Sequence, residues 1–342
     1  MPRKRARKED HWLPPRVYRG RSAYEWHPKT GGAVRLCGLD ASEADVWLMY
    51  RAALGEVSIK HCQWLADQYF SSAEFEGLAQ RTQKDYKSYW KRLAKTFGKM
   101  LVASVRPEHV RQYMDLRGRQ SVAMANKEKK LFSIVMRYGF ERGHLKENPC
   151  EPVKNFKEKP RDKYISDAEY NDFYKHAEPM CQIMMEISYT CAARGQDVRK
   201  ITMADIQKDG LLIVQAKTGK KQLKLWSKRL TAAINRAKQI RADRLKGSKT
   251  SLYLLVTATG GPYTEYGMKS IWRRARAAYY AATEKNIDWT FHDIKAKAIS
   301  DYQGDKQHFS GHKSRAMMER YNRSIDRVEV LDFPKKRASK SK

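Results

Sequence analysis

Several features that mark other classes of protein are missing from this chain of 342 residues. It contains five cysteines, an odd number, and no two of them form a Cys-x-x-Cys pair. This pattern argues against a disulfide framework and against a cysteine zinc site, and it suits a reducing compartment. No apolar run approaches the roughly 18 residues of a membrane span. The basic N-terminus has no apolar segment behind it, so we also expect no signal peptide.

The sequence also lacks the residue clusters of common metal sites. No group of Asp and Glu residues has the arrangement of a two-metal catalytic centre. His308 and His312 have an i, i+4 spacing that metal ligands on a helix can have, but no carboxylate or cysteine accompanies them. We therefore expect no bound metal.

Acidic residues are few relative to basic ones. The chain has 69 Lys and Arg against 38 Asp and Glu, a formal net charge of +31. Such an excess predicts a polyanionic partner, most simply nucleic acid. A ribosomal or chromatin-coating protein would fit the charge equally well. A membrane surface fits less well, because no strongly apolar face accompanies the charge.

Residues 1–56 have the pattern of a small sheet with one helix. Two short strands, one before a turn rich in Pro and Gly at residues 27–32 and one after it at residues 33–37, predict a hairpin. A helix follows from about Ser42 to Leu54, with Asp40 as a possible cap. A small β-hairpin domain of another use fits this pattern too. Residues 1 to about 10 form a basic arm that we expect to order on DNA. Its candidate DNA contacts are Arg3, Lys4, Arg5, Arg7 and Lys8.

Residues 57–150 read as helices. Tyr86, Trp90, Leu93 and Phe97 belong to one apolar stripe with helical spacing, which favours a core role over base stacking. Lysines lie largely off this stripe, where they form either a solvated face or a set of phosphate contacts. The candidate DNA contacts among them are Lys84, Lys87 and Lys91.

A charged segment with two prolines, residues 151–164, has the composition of a linker. Ser166 and Glu169 then form a capping-box pattern that opens a further domain, residues 165–342. Within it we predict helices, a hairpin around a Thr-Gly turn near residue 218, and a possible strand at residues 253–257.

Candidate catalytic residues occur in order along this last domain. Tyr321 follows Gly311-His312 by nine residues, and both a lysine hairpin and an arginine motif lie upstream. Cleaving a DNA phosphodiester without metal needs an oxygen nucleophile, cations around the phosphate, and a proton for the leaving oxygen. The residues of these types are Arg194, Lys217, His292, Lys295, His312 and Tyr321.

This series resembles the motifs of the tyrosine recombinases, the phage integrase family, and the upstream regions resemble those of lambda-like integrases. The resemblance implies a multidomain, mainly α protein. Its parts would be an arm-type DNA-binding domain (1–56) with a small three-stranded sheet and a helix, an all-helical core-binding domain (57–150), a linker (151–164), and an α+β catalytic domain with a basic tail (165–342).

The resemblance also implies a role for each residue. Tyr321 would be the nucleophile, and Arg194 would grip two phosphate oxygens with its planar fork. Lys217 would protonate the leaving 5′-oxygen; its neighbours Lys220 and Lys221 are easily confused with it, but Lys217 directly precedes the Thr-Gly turn, as in the family. His292 would accept the tyrosine proton or bind a phosphate oxygen. His312 would bind the scissile phosphate, and Asp197 would brace the site.

Two features depart from the family pattern. Lys295 stands where an arginine is usual, so the bidentate fork is lost. A lost charge-assisted hydrogen bond costs about 1.5–3 kcal/mol. Only 20 residues separate His292 from His312, a few fewer than in many lambda-like members, which predicts a shortened connection.

The implied function is site-specific DNA recombination by a phage or prophage integrase. The family forms a 3′-phosphotyrosyl intermediate and a Holliday junction, works as a homotetramer on core and arm attachment sites, and needs neither ATP nor metal nor another cofactor. DNA-bending and directionality proteins often assist it. We expect action in the cytoplasm of a bacterial host, at the nucleoid, with no membrane partner.

Two other functions remain open from the sequence. Lys295 would also fit a regulator or architectural protein that kept the fold and lost catalysis. A type IB topoisomerase-like nicking enzyme would share the chemistry, although the arm-type N-terminus disfavours it.

Overall fold

The computed structural model describes residues 8–55, 60–159, 161–246 and 250–325. The chain divides into two compact units, Met1–Lys159 and Pro160–Lys342. This division falls inside the segment that we predict to be a linker, while the finer domain boundaries stay predictions. Lys8 begins a short 3-10 helix, Lys8–Asp10. The remaining predicted arm contacts lie outside the described residues: Arg3, Lys4, Arg5 and Arg7.

The first unit begins with a three-stranded antiparallel sheet in the order β1-β2-β3. Its strands are β1 (Val17–Arg19), β2 (Ala23–Trp26) and β3 (Val34–Gly38), and helix α1 (Glu43–Ala53) follows.

The predicted cap of α1 was wrong by two residues. Ser42, not Asp40, is the N-cap, because the Ser42 hydroxyl accepts from the Asp45 amide while the Asp45 carboxylate accepts from the Ser42 amide. This reciprocal pair satisfies two backbone donors, which a lone aspartate further upstream would not do.

The rest of the first unit is helical, as predicted. Tyr69, Phe97 and Phe132 are fully buried in its core, and Phe97 stacks on Phe132 with ring centroids 4.2 Å apart. The apolar stripe of the helix at Gln80–Phe97 faces this core, while Lys84, Lys87 and Lys91 are exposed. The helices are α2 (Cys62–Phe70), α3 (Ala73–Glu76), α4 (Gln80–Phe97), α5 (Pro107–Gly118) and α6 (Val122–Phe140).

The second unit combines helices with one two-stranded antiparallel sheet. The capping box of Ser166 and Glu169 is confirmed, as is the hairpin. The elements are α7 (Asp167–His176), α8 (Pro179–Cys191), α9 (Gly195–Val198), β4 (Gly210–Val214), β5 (Lys221–Leu225), α10 (Lys228–Arg244), α11 (Glu265–Thr283), α12 (Asp293–Asp301), α13 (Lys306–Ser310) and α14 (Arg315–Glu319).

The strand predicted at residues 253–257 was wrong. Tyr253 and Val256 each form an isolated bridge, with Thr202 and Pro262 respectively, and no ladder extends from them. Leu254 and Leu255 are fully buried, so the apolar run that suggested a strand serves core packing instead. Periodicity cannot separate these two uses in so short a run.

Helix α8 is the central element of the second unit. Its apolar residues are buried on most sides, and it packs against both α10 and α12. Because α8 leads into the Arg194 motif and α12 carries the His292 motif, their packing brings two distant sequence motifs together. The expected fold class, mainly helical with a small N-terminal sheet and an α+β final domain, is confirmed. Among the described residues, no helix has the length and apolar character to span a bilayer.

Candidate active site

The turn between α8 and α9 places Arg194. Helix α8 ends at Ala192 in the left-handed conformation, with φ of 47°. That conformation costs a non-glycine residue about 1–2 kcal/mol, and such strain is concentrated at functional sites. The reversal sets Arg194 at the N-cap of α9, where its Nη1 donates to Gln215 Oε1 at 3.2 Å.

Asp197 connects α9 to the hairpin. It is buried, and its Oδ1 accepts from the Ala216 amide at 2.9 Å. Ala216 immediately precedes Lys217, so the carboxylate fixes the backbone that carries the candidate general acid. This geometry supports the structural role that we predict for Asp197. Its other oxygen, Oδ2, is buried without a hydrogen-bond partner among the described residues.

Lys217 lies at the tip of the β4–β5 hairpin with an exposed side chain. Gly219 adopts a φ of 70°, which the tight turn requires. Lys220, the neighbour that could be confused with Lys217, is half-buried, and its positive charge is one of those that lower the pKa of His312. The two lysines therefore differ in exposure, and assigning the proton donor to Lys217 stays a prediction.

Helix α12 places the second motif. His292 precedes its first residue, and His292 Nε2 lies 3.1 Å from the Tyr321 hydroxyl oxygen. Lys295, one turn later, is 1% exposed, and its Nζ donates to the Ser310 carbonyl at 3.2 Å. The lysine that replaces the family arginine is therefore a buried side chain tied to the segment before His312.

Gly311 and His312 follow the short helix α13. Gly311 has φ of 69°, a left-handed conformation that favours glycine, and a β-carbon there would displace the side-chain amides of Gln215 and Gln222. His312 is 4% exposed, and its Nδ1 is 2.7 Å from Ser310 Oγ. Its Nε2 is buried with no partner in the described part of the chain. A buried nitrogen without a partner is rare in proteins, and this one can form a hydrogen bond with a bound ligand.

Tyr321 lies just beyond α14, half-buried between the two histidines. Its ring centroid is 5.5 Å from that of His292 and 4.8 Å from that of His312. It also packs against a small apolar cluster that includes Ala192 and Ile299. The structure therefore brings five of the six candidate catalytic residues into one cluster, through contacts with one another or with Gln215 and Ser310. The five are Arg194, His292, Lys295, His312 and Tyr321, and the exposed Lys217 is the sixth.

Burial and neighbouring positive charges lower the pKa values of the basic groups in this cluster. Burial first and then the charge of Arg194 lower the pKa of Lys295 to about 7, while the charge of Asp197 opposes the change. Burial also lowers the pKa of His312 to about 4, with Lys295 and Arg194 contributing. The pKa of His292 is lowered as well, by desolvation first and then by Arg194. A bound anion would relieve this repulsion.

Gln215 is a site residue that the sequence did not reveal. It is buried, its Oε1 accepts from Arg194 and from the Thr218 hydroxyl, and its Nε2 donates to the Ser310 carbonyl at 3.1 Å. It therefore joins three motifs that lie far apart in sequence. Its position beside the Lys-Thr-Gly turn was the available signal, but a glutamine has no pattern of its own.

The hairpin is tied to α13 by further side chains. Gln222 donates to the His308 carbonyl and Lys224 to the Phe309 carbonyl, next to the Gln215 bond to Ser310. Three consecutive carbonyls at the end of α13 thus accept hydrogen bonds from side chains of β5 and of Gln215, and the His308 carbonyl also accepts from the Gly311 amide. The hairpin that carries Lys217 is thereby held beside the segment that carries His312.

The structure also contains a basic groove on α6 that no sequence pattern indicated. It has a volume of about 720 Å³, and Lys127 and Lys130 on its edge are exposed. Lys129 and Arg137 line it as well. The helical part of the first unit therefore carries a second basic surface besides the lysines of α4.

Within the described residues, no group of three or more His, Cys, Asp or Glu side chains is placed to hold a metal ion. His312, one of the pair with metal-ligand spacing, uses its Nδ1 for Ser310 instead.

Comparison with known proteins gives consistent matches. The phage integrase family model matches residues 163–327, and the phage integrase central domain model matches residues 63–155. The chain is 25% identical to the integrase of Escherichia phage HK022, over 93% of this chain and 96% of that protein.

Solved structures share the fold. A lambda integrase dimer bound to a COC′ core site matches with a TM-score of 0.68 at 19% identity, covering 96% of this chain and all of that one. A lambda integrase tetramer bound to a Holliday junction matches with a TM-score of 0.67 at 19% identity, over 93% of this chain and 99% of that one. The Tn1549 transposon integrase with circular intermediate DNA gives 0.62 at 14% identity, over 78% and 95%.

The two family models between them match most of the chain, the phage relative matches nearly its whole length, and the motifs meet in one cluster. The chain belongs to the phage integrase family, the tyrosine recombinases, and is a site-specific recombinase.

Proposed function

We propose that this recombinase cleaves and rejoins DNA through a covalent bond between Tyr321 and a 3′-phosphate. The observation that carries the proposal is the 3.1 Å approach of the Tyr321 hydroxyl to His292 Nε2, inside a cluster of cationic groups. A tyrosine has a free pKa near 10, so attack at neutral pH needs a base at hydrogen-bond distance. The lowered pKa of His292 keeps its imidazole neutral and able to accept the proton.

The reaction would proceed by two successive transesterifications, one that cleaves the strand and one that rejoins it. The Tyr321 oxygen attacks the scissile phosphorus and gives its proton to His292, the phosphorus–O5′ bond breaks, and Lys217 gives a proton to the leaving oxygen. A 5′-hydroxyl of a second duplex then reverses these transfers, which rejoins the strand without ATP.

The negative charge of the transition state is stabilised by the remaining cluster. Arg194 binds two phosphate oxygens, and the unpartnered Nε2 of His312 donates a hydrogen bond to one of them. Lys295 contributes from its buried position. Its ammonium adds positive charge, and its bond to the Ser310 carbonyl holds the segment that leads to His312. Phosphate binding raises the pKa of Lys295 and favours its charged form.

The DNA would be double-stranded attachment sites. The basic first unit, with Lys84, Lys87 and Lys91 on α4 and the groove on α6, supplies phosphate contacts for core sites. The N-terminal sheet and its basic arm would bind arm sites. By analogy with the lambda integrase tetramer on a Holliday junction, we propose a homotetramer that exchanges strands through such a junction, with DNA-bending or directionality proteins, at the nucleoid in the cytoplasm of a bacterial host.

A strand-exchange assay tests this function. Labelled duplexes tiled from DNA that flanks the gene are mixed with the purified protein in EDTA, with and without host extract as a source of accessory proteins. We expect recombinant products and four-way junctions that require Tyr321. Relaxation of any supercoiled plasmid, without site preference, would favour the topoisomerase-like function instead. Specific binding without exchange would favour a regulator or architectural protein, and Lys295 would then be the first residue to change.

A further inference from the structure

The chain directly after Tyr321 is fastened to α12 by an ion pair. Arg323 Nη2 donates to Asp293 Oδ1 at 2.7 Å, and Nη1 donates to the Lys163 carbonyl at 2.8 Å. The Arg323 side chain is 9% exposed and that of Asp293 is 4% exposed. A surface ion pair contributes little, but a pair so withdrawn from water holds its partners in one geometry.

Asp293 is itself fixed to the start of α12. Its Oδ2 accepts from the Thr290 amide at 2.8 Å and the Thr290 hydroxyl at 2.7 Å, and Arg161 lies 3.2 Å away. Burial alone would raise the pKa of this carboxyl, but the hydrogen bonds from Thr290 and Arg323 outweigh it, and the pKa lies below its usual value. Asp293 directly follows His292, so the ion pair joins the base to the segment of the nucleophile.

Three more contacts hold the same segment. The Arg323 amide donates to Ser300 Oγ at 2.7 Å, near the other end of α12. Lys306 Nζ lies 3.0 Å from Asn322 Oδ1 and 3.1 Å from Ser324 Oγ. Residues 322–324 are therefore each held by at least one hydrogen bond. These contacts fix the backbone next to Tyr321 and so help to position its ring.

We propose that Arg323 and Asp293 are positioning residues for the nucleophile, whose ion pair holds residues 321–324 on α12 so that the Tyr321 hydroxyl meets His292 of the same chain. The inference rests on the proposed role of Tyr321. It adds a residue pair beyond the catalytic motifs and assigns it an action on geometry, since neither side chain contacts the Tyr321 oxygen.

The first unit contains a matched ion pair that serves as a control. Arg117 donates through Nε to Glu128 Oε2 at 2.9 Å, and the two side chains are 11% and 1% exposed. This pair has the same charge types and similar burial, but it lies in the helical unit and not beside Tyr321. Breaking it tests what the loss of such a pair does to the fold alone.

The experiment measures covalent adduct formation in a single turnover, with full-length protein in excess over a nicked suicide duplex that wild type cleaves. Misplacement of a reacting group by about 1 Å can lower a rate about 100-fold. We expect Arg323→Ala to slow adduct formation about 10- to 100-fold at saturating protein, while the Kd for the duplex stays within about twofold. Arg323→Lys, which keeps one donor and the charge, should recover part of the rate. Arg117→Ala should lower the melting temperature and leave the rate unchanged below it.

Adduct formation by Arg323→Ala at the wild-type rate would overturn the inference and leave the proposed function intact. So would an equal slowing by Arg117→Ala, because the effect would then be one of general stability. If Arg323→Ala does not fold at the assay temperature, Arg323→Lys decides by the same comparison of rate against Kd. If wild type itself forms no adduct on a duplex that it binds, the proposed function fails and the inference fails with it.

Discussion

The helical part of the first unit and the second unit differ in how many polar groups they bury and in how many of these lack a hydrogen-bond partner. In residues 60–159, as far as the structure describes them, the buried polar side chains are Glu128 and Asn148. Glu128 accepts from Tyr113 and Arg117, and Asn148 donates to Ser133. Both have partners within their own unit, and the surrounding core is apolar and aromatic. Arg111 Nε is buried there without a partner among the described residues, but the same guanidinium donates to the Lys154 carbonyl and to Asp115.

The second unit buries more charge and leaves part of it without hydrogen bonds. Lys297 is fully paired, with Asp167 and Asp301. In contrast, Asp197 Oδ2, His312 Nε2 and Arg323 Nε have no partner among the described residues. Within the same part of the chain, the Ser310 carbonyl is the hydrogen-bond partner of Lys295. An unsatisfied buried polar group costs about 1–3 kcal/mol. The difference teaches that the helical unit is built for packing, whereas the second unit gives up stability to present groups to a phosphate.

The largest expected effect is on the cleavage rate, and it comes from Lys217, the exposed lysine of the hairpin in the second unit. Lys217→Ala should lower single-turnover cleavage about 100-fold or more, the usual range for a lost general acid. A duplex with sulfur in place of the leaving 5′-oxygen needs no proton donor, so it should restore the rate of Lys217→Ala. Lys220→Ala is the matched control on the same hairpin. Restoration of Lys220→Ala instead would reassign the proton donor and contradict the sequence-based choice.

A smaller effect is expected from the buried lysine that replaces arginine. The charge of Lys295 is lost as pH rises through its folded pKa of about 7, whereas an arginine stays charged. Lys295→Arg should therefore cleave about 10-fold faster than wild type near pH 9 and show less difference near pH 6. Rates of adduct formation across this range check it, measured at subsaturating protein so that they report the pKa of the unbound protein, with thermal melting at each pH as the control. Identical pH profiles for the two proteins would show that the Lys295 charge does not reach the phosphate.

A separate effect, on stability and not on rate, should differ in sign between the two units. Lys295 has a lowered folded pKa, so below its unfolded value near 10.5 the unfolded chain binds the proton more readily and the fold loses stability as pH falls. Lys295→Met should raise the free energy of unfolding by about 1–3 kcal/mol at pH 7, with the gain shrinking toward pH 10.

The counterpart in the helical unit should move the other way. Glu128→Gln leaves Arg117 without its carboxylate and should lower the free energy of unfolding by about 3 kcal/mol. Denaturant titrations of both variants measure these changes. Destabilisation by Lys295→Met as large as that by Glu128→Gln would mean that Lys295 is a structural residue and would remove the contrast.

Local patterns predicted the local structure well. The stripe of Trp90 and Phe97 faces the core of the helical unit, and Ser166 forms its capping box. The hairpin turns at Thr218 as predicted, because Gly219 alone supplies the left-handed conformation there. Each of these depends on interactions within a few residues, which the order of the sequence displays directly.

Contacts between distant residues could not be predicted in this way. Gln215 reaches Ser310 across 95 positions, and Arg323 reaches Asp293 across 30. Neither residue has a spacing pattern of its own. The candidate site was found because family motifs supply Arg194 and Tyr321 by resemblance, whereas the residues that connect the motifs depend on how α8, α12 and the hairpin pack.

The measurement that tests the central claim most directly is the trapping and mapping of the covalent intermediate. Full-length protein is incubated in EDTA with nicked suicide duplexes that it binds, and the products are separated on denaturing gels, digested and analysed by mass spectrometry. The account predicts a protein–DNA adduct on the peptide that contains Tyr321, absent in Tyr321→Phe. An adduct that persists in Tyr321→Phe, or no adduct on any duplex that the protein binds, would contradict it.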